Sequence, residues 1–360
     1  MLTEQIRRIR QSHPDNLMAR HFDPAYFASL CPAHQKRLQR LILTGIENPE
    51  SIMGAYAMHP EDYDLFQPYL DKMIRDYHNV EGELKQVSDW GSAGQFDLRK
   101  IDAGLADSSM RVRVGRNLAD LPLPGGMNKG DRLLFEQRMI TVFLGLADAP
   151  GFGGRYLSLT PGSPYQIGEE QYQRLVAEHK MFKNMGIDPY LSAAGISSDW
   201  PYGRGMYESA DGQLIVWVGE EDHLRIMVMK RCSLLSDIFD RLRVSLDVLE
   251  RQGLCFARSP SYGYVTSCPT NLGTGMRASL HLQLPKLTEN GTTLGPLKQL
   301  AGTLGLSVRG AGGEHTDAGA GGLVDISPSA RLKVTEGEIC RHLYEGIAAL
   351  RKLEQNLQAP

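Results

Sequence analysis

One stretch of this chain brings three kinds of chemistry together: Ser267-Cys268-Pro269-Thr270-Asn271-Leu272-Gly273-Thr274-Gly275-Met276-Arg277. A thiol and a guanidinium are separated by a glycine-rich bend, and the chain continues into the alternating run up to Leu284. Cationic neighbours favour the thiolate form of such a cysteine, whereas the plainer reading is a small packing residue. A second cluster is Gly219-Glu220-Glu221-Asp222-His223-Leu224-Arg225, between two apolar runs. It reads either as a solvated hairpin tip or as carboxylates that orient a nitrogen nucleophile. Period-2 spacing places Glu221, His223 and Arg225 on one side if the strand starts early. The third, Arg309-Gly-Ala-Gly-Gly-Glu314-His315-Thr316-Asp317, reads alone as a flexible loop.

The arginines form a pattern across these segments. Arg111 and Arg113 share one strand face, with Val112 and Val114 on the other. Arg225 opens an apolar strand, Arg277 has the parity of Ser279 and His281, and Arg309 ends Leu306-Ser-Val. Five guanidinium groups near strand ends point to a polyanion clamp, because each is a rigid, permanently charged, bidentate donor. A cysteine or serine hydrolase does not account for them, and no GxSxG elbow is present. Nor does the chain contain GxxxxGK[ST], a complete dinucleotide fingerprint, the HRD and DFG pair, or HExxH.

The elements expected to position these groups fall into two parts. Short helices fill about the first 90 residues, among them His34–Leu43 ended by Gly45, and 63–77 with apolar residues at helical spacing. Asp23-Pro24 is a helix start, and 78–108 reads as a linker. Beyond it, strands are expected at 111–114, 214–218, 224–229, 262–267, 278–284 and 306–309. Helices are expected at 131–144, 169–185 stopped by Gly186, and from about Leu234 to before Gly253. A last helix starts at the capping box Thr335-x-x-Glu338. Closely spaced strands without regular crossovers favour an antiparallel sheet. The fold class is therefore α+β: a small all-helical domain (1–90), then a larger domain (91–360) with an antiparallel sheet flanked by helices. Gly302–Gly322 reads as a mobile, glycine-rich loop.

Composition narrows the partners. The chain has 360 residues, 42% hydrophobic, and its 39 basic and 42 acidic residues nearly cancel, which argues against a nucleic-acid surface. Five irregularly spaced cysteines without CxxC argue against a disulfide framework or structural zinc. No signal-like or membrane-length apolar run is evident, so a cytoplasmic protein with no membrane partner is expected.

Taken together, the motifs resemble the ATP:guanidino phosphotransferases, the family of creatine and arginine kinases. The resemblance covers nearly the whole chain. It rests on His13–Arg20, Gly45–Pro49 and Asp76-Tyr77-His78, then on Ser109-Met-Arg-Val-Arg113-Val-Gly-Arg116, Trp200-Pro-Tyr-Gly-Arg-Gly205 and Glu220–Arg225. Cys268–Thr274, Arg277 and Glu314-His-Thr complete it. The resemblance implies a helical domain followed by an antiparallel-sheet domain. It implies ATP or ADP with Mg²⁺, held by Arg111, Arg113, Arg225, Arg277 and Arg309, with Ser109, His179, His281 and Asp325 around the nucleoside; no protein metal ligand is implied. Glu221 and Glu314 are the implied guanidinium-holding pair, with Cys268 beside the same group, and Arg225 counts with these three as catalytic. Ser51, Ile52, Met53 and Tyr56 lie in the implied substrate loop, where Ile52 and Met53 depart from the arginine-kinase Gly-Val pair. Tyr77 and Glu314 match the arginine-kinase pattern, so L-arginine is the expected acceptor. Taurocyamine or another guanidino acid is the alternative, and a non-catalytic ligand sensor the non-enzyme reading. Relatives occur as monomers and homodimers, and both remain open.

Overall fold

The computed structural model describes residues 2–91, 96–310 and 317–357. Helices open the chain: α1 (Leu2–Ser12), α2 (Leu17–His21), α3 (Pro24–Ser29), α4 (Pro32–Leu41), α5 (Leu43–Glu47), α6 (Asp62–Leu65) and α7 (Gln67–His78). The expected start at Asp23 is present, since its carboxylate accepts from Ala25 N at 2.9 Å and Pro24 opens the helix. Gly45 does not end α4. It lies inside α5, where its N–H donates to Gly54 O at 2.9 Å and a Cβ would stand 2.6 Å from that oxygen. The glycine serves close backbone approach instead. The expected 63–77 helix is broken at Phe66, and α7 restarts with Pro68 in its first turn. Tyr69, Leu70, Met73 and Ile74 then form its buried face.

The larger part begins with β1 (Ser108–Arg116), α8 (Lys129–Gly145), β2 (Gly154–Ser158), α9 (Glu169–Ala177) and α10 (Pro189–Ala193). Next come β3 (Gly205–Ser209), β4 (Leu214–Val218), β5 (Leu224–Cys232), α11 (Leu235–Arg251), β6 (Arg258–Ser259) and β7 (Gly263–Tyr264). The chain finishes with β8 (Met276–Gln283), α12 (Gly295–Thr303), β9 (Leu306–Gly310), β10 (Leu323–Pro328) and α13 (Glu336–Asn356). Eight strands form one sheet in the order β2-β3-β4-β5-β1-β8-β10-β9, and β6 pairs with β7. The pairs β2–β3, β3–β4, β1–β8, β8–β10 and β9–β10 are antiparallel. A small helical region followed by helices around an antiparallel sheet is the α+β fold expected.

Several expected boundaries shift. The 169–185 helix stops at Ala177, because His179 takes a left-handed φ of 56° and Lys180 and Met181 both donate to Leu175 O. The strand expected over 262–267 is reduced to β7, and residues beyond it are held by individual hydrogen bonds. The stretch from Gly302 to Gly322 is not one loop, since it includes the end of α12 and all of β9. At the C-terminus the capping box forms: Thr335 Oγ1 accepts from Glu338 N at 3.2 Å, and Glu338 Oε2 from Thr335 N at 2.8 Å.

Contacts divide the chain into two compact units. The first comprises residues up to Gln86, Gly115–Ile226 and Val248–Gly275; the second comprises Val87–Val114, Met227–Asp247 and residues from Met276 on. In the first, Phe143 stacks on Tyr207 at 4.6 Å, and Tyr63 donates to Thr266 O at 2.8 Å. In the second, Ile339, Leu343, Ile347 and Leu350 bury one side of α13. Among the described residues no helix is long and apolar enough to cross a membrane.

Candidate active site

The second unit carries an arginine-rich face. Along β1 burial alternates strictly, with Met110, Val112 and Val114 inside and Ser109, Arg111 and Arg113 on the more open side. Cross-strand pairing extends this face: Arg113 stands opposite Arg277 and Arg111 opposite Ser279, while Asp325 stands opposite both His281 and Arg309. Directly opposed residues of an antiparallel pair project to the same side. Ser109, Arg111, Arg113, Arg277, His281, Arg309 and Asp325 therefore share one face of β1-β8-β10-β9.

Like charges placed directly opposite one another destabilise a sheet, so the Arg113–Arg277 pair needs an anion to justify it. Asp325 supplies part of that charge: its Oδ2 accepts from Arg277 at 2.7 Å, both groups being buried. Burial pulls the Arg277 guanidinium down to about 10; Asp325 opposes this, while Arg309, Arg331 and Arg111 add to it. Arg331 joins this electrostatic set without any signal in the sequence beyond its charge.

A second cluster lies in the first unit. Arg225 Nη2 is 2.9 Å from Glu220 Oε2 and 3.4 Å from Glu221 Oε2, and its guanidinium carbon lies 5.3 Å from the Trp217 ring centre. His223 does not share a side with them, contrary to the period-2 expectation. Strand β5 starts only at Leu224, and His223 turns into the core against Phe135, ring centres 4.8 Å apart. Its Nδ1 accepts from Leu118 N at 3.0 Å, so Nε2 carries the proton donated to Pro122 O at 2.9 Å. Burial holds this imidazole down at about 4.

Cys268 is also buried, with its sulfur 3.1 Å from Thr270 Oγ1. The expected thiolate is not what this environment favours. Burial, then the Glu221 carboxylate, pushes the thiol up to about 12, while the Thr270 hydroxyl works the other way. Tyr56 joins the cluster from the 51–56 loop. Its phenol is held well above the ordinary range by burial first, then by Cys268, Glu221 and Asp188.

The loop is held by backbone bonds and one to a side-chain hydroxyl. Leu17 N donates to Ile52 O at 2.8 Å, Ser51 Oγ accepts from Gly54 N at 3.1 Å, and Tyr56 N donates to Leu41 O at 2.9 Å. Ala57 N donates to Ser267 O at 2.8 Å, joining the loop to the Cys268 segment. Met53 points inward, whereas Ile52 is 58% exposed. His179 is exposed in the first unit, next to Lys180, whose carbonyl accepts from Trp217 Nε1 at 2.6 Å. Glu314 lies outside the described residues.

The buried Asp222, not singled out from the sequence, links two walls of this cluster. Its Oδ1 accepts from Ser267 N and Asn117 Nδ2, each at 2.7 Å. Burial pushes its carboxyl up, and those two bonds pull it back. Its position beside Glu221 was a local signal; the identity of its partners was not.

The N-terminal domain of ATP:guanido phosphotransferase matches residues 12–75, and the C-terminal catalytic domain of the same family matches residues 135–357. The chain belongs to this family. It is 32% identical over 359 residues to an arginine kinase of Amphioctopus fangsiao, covering 99% of this chain and 98% of that protein. It is 34% identical over 349 residues to an arginine kinase of Anthopleura japonica, covering 95% of this chain and 47% of that one. Among solved structures, the duplicated taurocyamine kinase of Schistosoma mansoni with bound transition state analog components superposes with a TM-score of 0.84. The two are 29% identical, and the match covers 99% of this chain and 49% of that chain. A lombricine kinase superposes at 0.81 and 28% identity, over 95% of this chain and 93% of that one. The chain therefore spans about half the length of the Anthopleura and Schistosoma proteins and nearly all of the others.

Proposed function

We propose that this protein reversibly transfers the γ-phosphoryl group of ATP to a guanidino nitrogen of a small guanidino acid. The observation that carries this reading is the shared face on which Arg113 opposes Arg277 while Arg111 and Arg309 flank them. It suits a polyphosphate. In this reading Ser109, His281 and Asp325 face the nucleoside, His179 is assigned to its adenine, and the arginines hold its phosphates. Among the described residues no cluster of three or more His, Cys, Asp or Glu side chains is arranged to hold a metal. Mg²⁺ fits here as an ion carried by phosphate oxygens, where it would offset their charge.

Glu221, with Glu314, orients the guanidinium for in-line attack, and one of the two receives its proton. Cys268 and Tyr56 flank the same group, Arg225 faces the moving phosphoryl, and Ser51–Met53 meet the acid end of the acceptor. Alignment of this kind supplies about 7–11 kcal/mol in favourable cases. The names of the relatives span arginine, taurocyamine and lombricine. The acceptor proposed is accordingly the guanidino-acid class, with L-arginine its first candidate. A cytoplasmic setting and a domain boundary near residue 90 remain part of this proposal.

A coupled ADP-release assay across L-arginine, taurocyamine and lombricine tests it. Turnover dependent on one of them is expected. Nucleotide binding without turnover on any acceptor would favour the sensor reading instead.

A further inference from the structure

Asn117 follows the end of β1 and is 1% exposed. Its Nδ2 donates to Asp222 Oδ1 at 2.7 Å and to Val265 O at 3.0 Å, while its Oδ1 accepts from His223 N at 2.8 Å. Asp222 Oδ1 in turn accepts from Ser267 N. One buried amide thus ties together the end of β1, the acidic turn that carries Glu221 and the segment that carries Cys268. The amide's orientation follows from its surroundings, because Asp222 Oδ1 and Val265 O are both acceptors and require the nitrogen. A carboxylate in its place would set oxygen against oxygen, and alanine would take one hydrogen bond each from Asp222 Oδ1, Val265 O and His223 N. Nothing in this arrangement places Asn117 at the acceptor site itself.

We propose that Asn117 is a positioning residue that fixes Glu221 relative to Cys268, and so sets the angle at which the guanidinium is presented. This rests on the phosphoryl-transfer reading above. The network is local to the first unit, and its packing leaves little slack: a Cβ on Gly115 would stand 2.6 Å from Asp222 Oδ2.

Two variants disturb the clip from different sides. Asn117→Asp keeps the volume and the acceptor for His223 N but reverses the polarity facing Asp222 and Val265. Gly115→Ala retains every bonding atom and crowds Asp222. The readouts are kcat and KM for the guanidino acid, ADP affinity by titration, and the alkylation rate of Cys268 by peptide mapping. A misplaced first contact is expected to lower kcat about 100-fold, with KM changed less than about fivefold. ADP affinity is expected to stay within about twofold, and Cys268 alkylation to shift by at least about fivefold.

Turnover within about threefold of the parent in variants that still bind ADP would overturn the proposal. So would an unchanged Cys268 alkylation rate, or loss of ADP binding in both variants, which would make the clip a requirement of the fold alone. The alkylation readout needs no turnover. If the parent phosphorylates no guanidino acid, a changed rate still supports the positioning role while the functional reading falls.

Discussion

The Cys268 sulfur meets two opposing influences, burial beside Glu221 on one side and the Thr270 hydroxyl on the other, and burial is the larger. The ligand-free protein consequently holds a thiol at neutral pH. A guanidinium entering the cluster would favour the charged form, since an adjacent cation stabilises a thiolate. Alkylation of Cys268, followed by peptide mapping to separate it from the exposed Cys31 and Cys255, gives the sign directly. With the folded thiol raised to about 12, the rate is expected to climb roughly tenfold per pH unit from pH 7 to 10 without levelling off. A plateau near pH 7 in the ligand-free protein would contradict this. Cys268 was visible in the sequence as a potentially reactive thiol; its charge state was not, because the burial and the Glu221 carboxylate that dominate it come from segments distant in the chain. The same holds for Asn117, whose bond to Asp222 spans 105 residues.

At the level of strands, β1 and β8 build the arginine face by a rule legible in the sequence. Arg111 and Arg113 alternate with apolar residues, and the pairing register carries that parity onto Arg277 and His281. Strand β10 was missed because it follows a glycine-rich stretch, and β3 because Gly205-Met-Tyr-Glu-Ser209 has neither a β-branched residue nor an apolar alternation. Asp325 of β10 anchors Arg277, and this pairing makes a prediction at the scale of the face. Arg277→Ala leaves a buried carboxylate without its partner, which typically costs about 3–5 kcal/mol of stability, and it weakens ADP binding as well. Removing Asp325 together with Arg277 is expected to recover stability in chemical denaturation without recovering ADP affinity. Recovery of both would show that Arg277 serves the fold and not the nucleotide.

Across the whole chain, the two family domains lie in the expected order, and the helical start and antiparallel sheet agree with them. That much was legible because capping residues and strand alternation are local features. Acceptor choice was not, because in the proposed reading it depends on the shape of the 51–56 loop, where Met53 turns inward and Ile52 outward. Phosphorus NMR of the protein with MgATP and each guanidino acid addresses the central claim most directly. The expected result is a phosphorus–nitrogen product signal growing in step with ADP, with little inorganic phosphate. Consumption of ATP to inorganic phosphate alone, or an unchanged γ-phosphate signal with every acceptor while ADP still binds, would contradict the account.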